Sequence, residues 1–464
     1  MLPYPSFSSA EMLRRRELVA AVLSEAEVEH LVIYGANRAG SAVQWLTRWP
    51  VTREAAVVHT PGEVDALLVN FFNHVPNARR MAVEADVRWA GPRTVTTVIE
   101  ELRGRGAGSD TRVGVVGALP YQAFQALAEA VSSVFDLNAA YTRLRMIKSP
   151  EELEWLRRAA ELTDLSCAAL RDNAAPGHTE HDLAAMVEGS YLPLGGSNYI
   201  HYFAVTPMGR PQQCVPSQWP SSRTLAVGDV LSCELSTSWG VDYPGQLLRT
   251  FTVGTQATPL YKELHDVASA AFERIQDVLA PGTTPADIVQ AAGVIEDAGF
   301  TTLDDLVHGL GGGYLPPVFG SRSRTLEPLP DLPFAAGMTV VVQPNVHHCR
   351  WAGGGADRRA RARHQHGVRT VAHFRSWARP DRLRVASTEA VVDLDALGLE
   401  LHAGARRLKV EQDGEVLGDA TAAHTGLHEL RGDRGDRHGH VELAGGSESE
   451  VEVLAEQDRR ERRV

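Results

Sequence analysis

The sequence predicts an α/β N-terminal domain, then an α+β domain built from two similar halves about a pseudo-twofold axis, then an irregular C-terminal tail. Three observations carry that reading. Short apolar runs alternate with amphipathic stretches through roughly the first 140 residues, the pattern of a mixed sheet with covering helices. The motif APGHTEHDLAAMVE at 175–188 returns as APGTTPADIVQAAG at 280–293, each time after a long amphipathic stretch. From Trp351 onward the text becomes rich in Arg and free of Lys for many residues, with no helix or strand period.

Composition bounds the function classes. A chain of 464 residues with 44% hydrophobic content is long enough for two or three domains with a substantial core. Its net charge of -12 argues against a nucleic-acid binder, which needs a basic surface for phosphates. Cys167, Cys214, Cys233 and Cys349 lack metal-type spacing and read as reduced thiols. The first residues lack the long apolar run of a signal peptide, and no stretch reads as a membrane span, so a cytoplasmic protein is expected.

The first domain is assigned to residues 1–143. Met12, Leu13, Leu18, Val19 and Val22 fall on one face of a helix over 10–23, followed by a strand, LVIYG, at 31–35. AAVVHT at 55–60 and ALLVN at 66–70 predict a hairpin across Pro61 and Gly62, RVGVVG at 112–117 a buried strand, and 121–134 a further helix. No GxGxxG follows a strand, so no dinucleotide site, and no cofactor of any kind, is expected.

The second domain is assigned to 144–349. Ser149 can cap a helix, Pro150 suits its first position, and Glu152 completes a capping box. In both repeat copies a Thr (Thr179, Thr284) follows the Pro by three residues and an Asp (Asp182, Asp287) by six. Two such halves place a site between them. The stretch GDVLSCELSTSWGVDYPGQLLRTFTVG at 228–254 reads as two strands and a Gly-rich turn, with Glu234 and Gln246 both near the bend. A carboxylate and an amide buried side by side need polar company, which predicts a polar pocket.

That hairpin resembles the metal-site hairpin of the creatinase, aminopeptidase P and prolidase family, the pita-bread fold, whose text reads GD-x-apolar-x-x-D-x-G and then S-D-I-T-R-T-F. The Arg145 to Lys148 linker with its following Ser-Pro-x-Glu, the VHGLG at 307–311 and the Gly337, Met338, VVVQPN stretch resemble further family segments. The resemblance implies that Glu234 and Gln246 stand at two aspartate ligand positions, His308 at the ligand histidine, and Gln343 at a glutamate. Leu315 occupies the place of a second histidine, the histidine expected before the Gly228-Asp229 turn falls near Gln218 and Trp219, and His201 is the nearest substitute able to reach the pocket as a proton carrier. An amide lacks the anionic oxygen that a hard divalent cation prefers, so no metal is expected at the site.

The tail, 350–464, carries its own expectation. Among the codons allowed for 350–374 there are choices that, read one nucleotide later, give DGRAGVQTGELVLVT, a close match to the last strand of a pita-bread domain. A frameshift just before Arg350 is therefore expected, with the terminal strand missing and the tail foreign to the fold.

The resulting functional expectation is a metal-independent, creatinase-like hydrolase or lyase acting on a C–N bond of a small polar molecule. The alternatives are an Xaa-Pro-type metallopeptidase and a binding protein of the same fold that has lost catalysis. His308 is assigned to proton transfer, Glu234 to catalysis beside it, and Gln246, Gln343 and His201 to substrate binding. A small molecule or short peptide is the expected partner, the chain is expected to form a homodimer, and Arg249 is expected to brace the hairpin from the opposite face.

Overall fold

The computed structural model describes residues 4–37, 40–324 and 328–348, and beyond these only the backbone of three short strands. The N-terminal part contains α1 (Ser9–Glu25), β1 (His30–Ala36), α2 (Ser41–Thr47), β2 (Glu54–His59), β3 (Ala66–Val69), α3 (Val75–Met81), β4 (Asp86–Trp89), α4 (Thr94–Gly104), β5 (Arg112–Val116), α5 (Tyr121–Ala130), β6 (Ser133–Asp136) and α6 (Asn138–Met146). Its strands form one mixed sheet in the order β4-β3-β2-β1-β5-β6. The expected hairpin is present, β2 and β3 pairing antiparallel. Alternation along the strands sends Leu31, Ile33, Val57 and Leu67 to one helical layer, and Val32, Val58, Leu68 and Val113 to the other. One expectation fails locally: Val134 lies in β6, because the helix ends at Ala130 and the β-branched Val131 continues in extended backbone.

The second part opens with α7 (Pro150–Asn173), whose N-terminus is the expected capping box: Ser149 Oγ accepts from the Glu152 amide at 3.2 Å, and Glu152 Oε2 accepts from the Ser149 amide at 2.9 Å. Then come α8 (Glu180–Tyr191), β7 (Ser197–Pro207), β8 (Asp229–Ser238) and β9 (Leu247–Thr252), the three strands pairing antiparallel in sequence order. The second half repeats the plan with α9 (Pro259–Val278), α10 (Pro285–Ala291), α11 (Val294–Asp297), β10 (Phe300–Thr302), β11 (Val307–Leu310), β12 (Tyr314–Phe319), β13 (Thr339–Val342) and β14 (Val346–His348). Here β11 is flanked by β12 and β13, while β10 pairs with β14. The two copies of the repeat fold alike locally. Gly177 and Gly282 turn through φ of 99° and 94°, and Thr179–Asp182 and Thr284–Asp287 form matching capping boxes.

Beyond 348, β15 (Arg384–Val385) and β16 (Thr388–Glu389) pair with β9, and β17 (Val392–Asp393) pairs with β13, all antiparallel. Three two-residue strands of the tail thus pair with the sheets, while the expectation of a tail foreign to the fold otherwise falls outside the described residues. Strands β9 and β13 would otherwise be edges with unpaired backbone groups, and a β-prone stretch of the tail meets them. The frameshift expectation, which concerns 350–374, lies outside the described residues.

Candidate functional site

Strand β8 decides which residues face the site. Its odd-numbered members Leu231, Cys233 and Leu235 enter the core beneath α7 and α8, so Ser232, Glu234 and Ser236 face the other way. Leu248 and Tyr202 lie opposite Glu234 on the neighbouring strands. Gln246 precedes β9 by one residue and turns to the same side, where its Nε2 donates to Glu234 Oε1 at 3.0 Å and to Gln343 Oε1 at 3.3 Å. One NH2 group meeting two oxygens fixes the orientation of this amide.

The second half contributes the rest. His308 is buried on β11 between β12 and β13; its Nδ1 lies 3.2 Å from the Gly309 carbonyl, and its ring interacts with Gln343. A carbonyl only accepts, so Nδ1 carries the proton and Nε2 is left with its lone pair. Four residues singled out from the sequence, Glu234, Gln246, His308 and Gln343, therefore come together. They are drawn from both halves.

His201 does not join them. It pairs with Leu235, so the pleat turns it to the helical face, where Nδ1 lies 3.3 Å from Glu188 Oε1 on α8. Arg249 sits opposite Cys233 on that same face and donates to the Leu248 carbonyl at 2.8 Å, in keeping with a bracing role. Leu315 is buried in the core.

Four further neighbours of the site carry no motif in the sequence. Asn345, two residues after Gln343, donates to Asp304 Oδ2 at 2.9 Å. Tyr314 stacks on His308 with ring centroids 4.4 Å apart and donates its hydroxyl to Asp305. The available signal was proximity in the text. Asp304 and Asp305 precede His308 closely, and the glycine loop that follows returns the chain at Tyr314.

Burial and charge set the protonation states. Burial, reinforced by the Asp304 charge, pushes the Glu234 carboxyl up to about 7. Asp304 is also raised by burial, although the Asn345 amide and Arg324 pull it back. Burial lowers His308 below its ordinary range, opposed by the Gly309 carbonyl, Asp305 and Gln343. A carboxyl that keeps its proton near neutrality, linked through Gln246 and Gln343 to an imidazole that does not, is a workable acid and base pair. Among the described residues, no three His, Cys, Asp or Glu side chains are grouped to hold a metal ion.

The fold and these segments have known counterparts. Residues 154–371 match metallopeptidase family M24. The chain is 28% identical over 245 residues to the Mycobacterium tuberculosis protein named "Probable dipeptidase PepE", covering 52% of this chain and 62% of that protein. It is 24% identical over 241 residues to the Xaa-Pro aminopeptidase of Escherichia coli, covering 47% and 52%. The matches thus span less than two thirds of these relatives' lengths. Among solved structures, dipeptidase PepE from Mycobacterium ulcerans shares the fold with a TM-score of 0.62 at 21% identity, over 84% of this chain and 95% of that one. The Pyrococcus furiosus prolidase does so with a TM-score of 0.58 at 18% identity, over 69% and 90%. An α/β domain followed by a pita-bread domain, the latter matching the M24 model over 154–371, is therefore the architecture of this chain. No helix among the described residues is long and apolar enough to cross a membrane.

Proposed function

With a domain of family M24 as the scaffold, we propose that this chain hydrolyses an amide-type C–N bond in a short peptide or a small polar molecule of similar size. Glu234 and His308 move the protons, and no pair of metal ions is used. The observation that carries the reading is the company Glu234 keeps: its hydrogen-bond donor is the neutral Gln246 amide, and its carboxyl is raised to about 7.

A two-metal centre does not fit this donor set. Two divalent cations need several anionic oxygens to balance their charge, and at these four positions among the described residues one carboxylate and one imidazole are accompanied by two neutral amides. In the proposed reaction His308 Nε2 takes a proton from water as its oxygen attacks the carbonyl carbon. The Glu234 carboxyl gives its proton to the departing nitrogen. Gln246 and Gln343 hold the polar groups of the substrate and keep Glu234 in place.

The names of the relatives shift the substrate expectation from the creatinase type toward short peptides, since they denote dipeptidases and Xaa-Pro peptidases. They also support a second reading, an Xaa-Pro-type metallopeptidase. A panel of dipeptides, with and without proline in second position, separates the two. Hydrolysis that survives dialysis against a chelator supports the first. Hydrolysis lost on dialysis and restored by Mn, Co or Zn supports the second, and binding without turnover supports an inactive protein.

A further inference from the structure

The hairpin of β11 and β12 holds a pair of residues that the proposed reaction does not use. Tyr314 is 52% exposed, yet its ring lies against the imidazole of His308 with centroids 4.4 Å apart and planes inclined by 26°. A half-exposed tyrosine ordinarily leaves its hydroxyl to water. This one donates to the carboxylate of Asp305, three residues before His308. The backbone adds a further constraint. The pairing of β11 with β12 shifts register between His308 and Gly309, and a side chain at Gly309 would lie 2.6 Å from the Pro316 carbonyl oxygen. Only glycine admits that approach, which sets the Gly309 carbonyl 3.2 Å from His308 Nδ1.

We propose that Tyr314, anchored by Asp305, is a positioning residue for His308: its ring fixes the plane of the imidazole while the Gly309 carbonyl fixes the tautomer, so that Nε2 is presented to the Gln343 side of the site. The inference rests on His308 being the proton acceptor of the reaction proposed above. An imidazole held on one face by an aromatic ring and at one nitrogen by a carbonyl has little freedom left. Reactions that depend on a near-attack geometry are sensitive to such restraint. The anchor explains why the ring stays over the imidazole although half of it meets solvent.

The test has two arms, one independent of turnover. In the full chain, Tyr314→Phe keeps the ring but loses the bond to Asp305, Tyr314→Leu loses both, and Asp305→Asn weakens the anchor. NMR of the His308 imidazole, assigned by comparison with His308→Asn, reads the ring-current shift of its carbon-bound protons and the tautomer from its nitrogen signals. The shift is expected to shrink in Tyr314→Phe and vanish in Tyr314→Leu. On a hydrolysed substrate, Tyr314→Leu is expected to lower kcat on the order of tenfold or more while changing KM by less than about threefold, with partial recovery in Tyr314→Phe. Unaltered imidazole signals in Tyr314→Leu would overturn the inference. So would a loss expressed in KM alone, which would make Tyr314 a substrate contact. If no substrate is turned over, the proposed function fails while the NMR arm still decides this one.

Discussion

Two glutamates of the same domain, Glu152 buried and Glu234 partly buried, are treated in opposite ways. Glu152, at the start of α7, is 1% exposed and surrounded by donors, two of them the guanidinium groups of Arg14 and Arg15. Arg15 Nη2 lies 3.1 Å from its Oε1, which also accepts from Tyr243 Oη at 2.6 Å and Trp45 Nε1 at 3.1 Å, while Oε2 accepts from the Ser149 amide. Arg15 and Trp45 belong to the N-terminal part of the chain, so this cluster ties α1 and α2 to α7. Glu234 receives one amide, and the charge that acts on it is the like charge of Asp304. A buried carboxylate with a guanidinium and a full set of donors serves architecture. One without a cation keeps its proton near neutrality, and such groups gather where chemistry is done.

The largest expected effect breaks the architectural cluster. Arg15→Ala removes the fully buried guanidinium that pairs with both Glu11 and Glu152, leaving Glu152 only the partly exposed Arg14, and should cost about 3–5 kcal/mol of stability, read as a lower denaturant midpoint. A loss near zero would remove the distinction between the clusters.

Glu234→Gln should behave in the opposite sense. The folded carboxyl sits near 7 against an ordinary value of 4.5, so the protonated form is favoured by folding. That stability is fully present below about 4.5 and is lost as the pH rises through 7, up to about 3 kcal/mol. The isosteric amide lacks this dependence, so the variant should match the parent near pH 4.5 and be the more stable protein at pH 8, as chemical denaturation at both values would register. Activity should disappear in the same variant. In the parent, kcat/KM should fall above about 7 as Glu234 ionises and again in acid as His308 gains a proton.

His308→Ala should leave the fold intact, judged by circular dichroism, and lower the rate on the order of 100-fold or more. Unchanged turnover would show that the imidazole has another role. The smallest effects belong to the repeat: Thr179→Ala and Thr284→Ala each remove a matching capping box and should each cost about 1 kcal/mol. Widely different costs would indicate that the two halves are alike in text but not in energetics.

Local chemistry made much of this legible in the sequence. The three capping boxes follow from side chains three residues apart, and the opposite facing of Gln246 and Arg249 follows from the pleat. The convergence of Glu234, Gln246, His308 and Gln343 was legible through the resemblance of their segments, which lie in both halves. What was not legible depends on register. His201 is near the site in text, but one step along β7 turns it toward Glu188, and no composition signal reports that parity. Tyr314 and Asp304 reach the site through a shifted hairpin and through a bond to Asn345, contacts that exist only once β11, β12 and β13 have paired. The strands at 384–393 were missed because two-residue pairings leave almost no pattern to read.

In the proposed reaction the Glu234 carboxyl and the His308 imidazole, linked through Gln246 and Gln343, take the place of a metal pair. Elemental analysis of the purified full chain after dialysis addresses it most directly, with hydrolysis measured on the same sample. The expected result is no divalent metal in stoichiometric amount and hydrolysis undiminished by the dialysis. Two tightly held Mn, Co or Zn ions per chain, with activity that follows their removal and return, would contradict it.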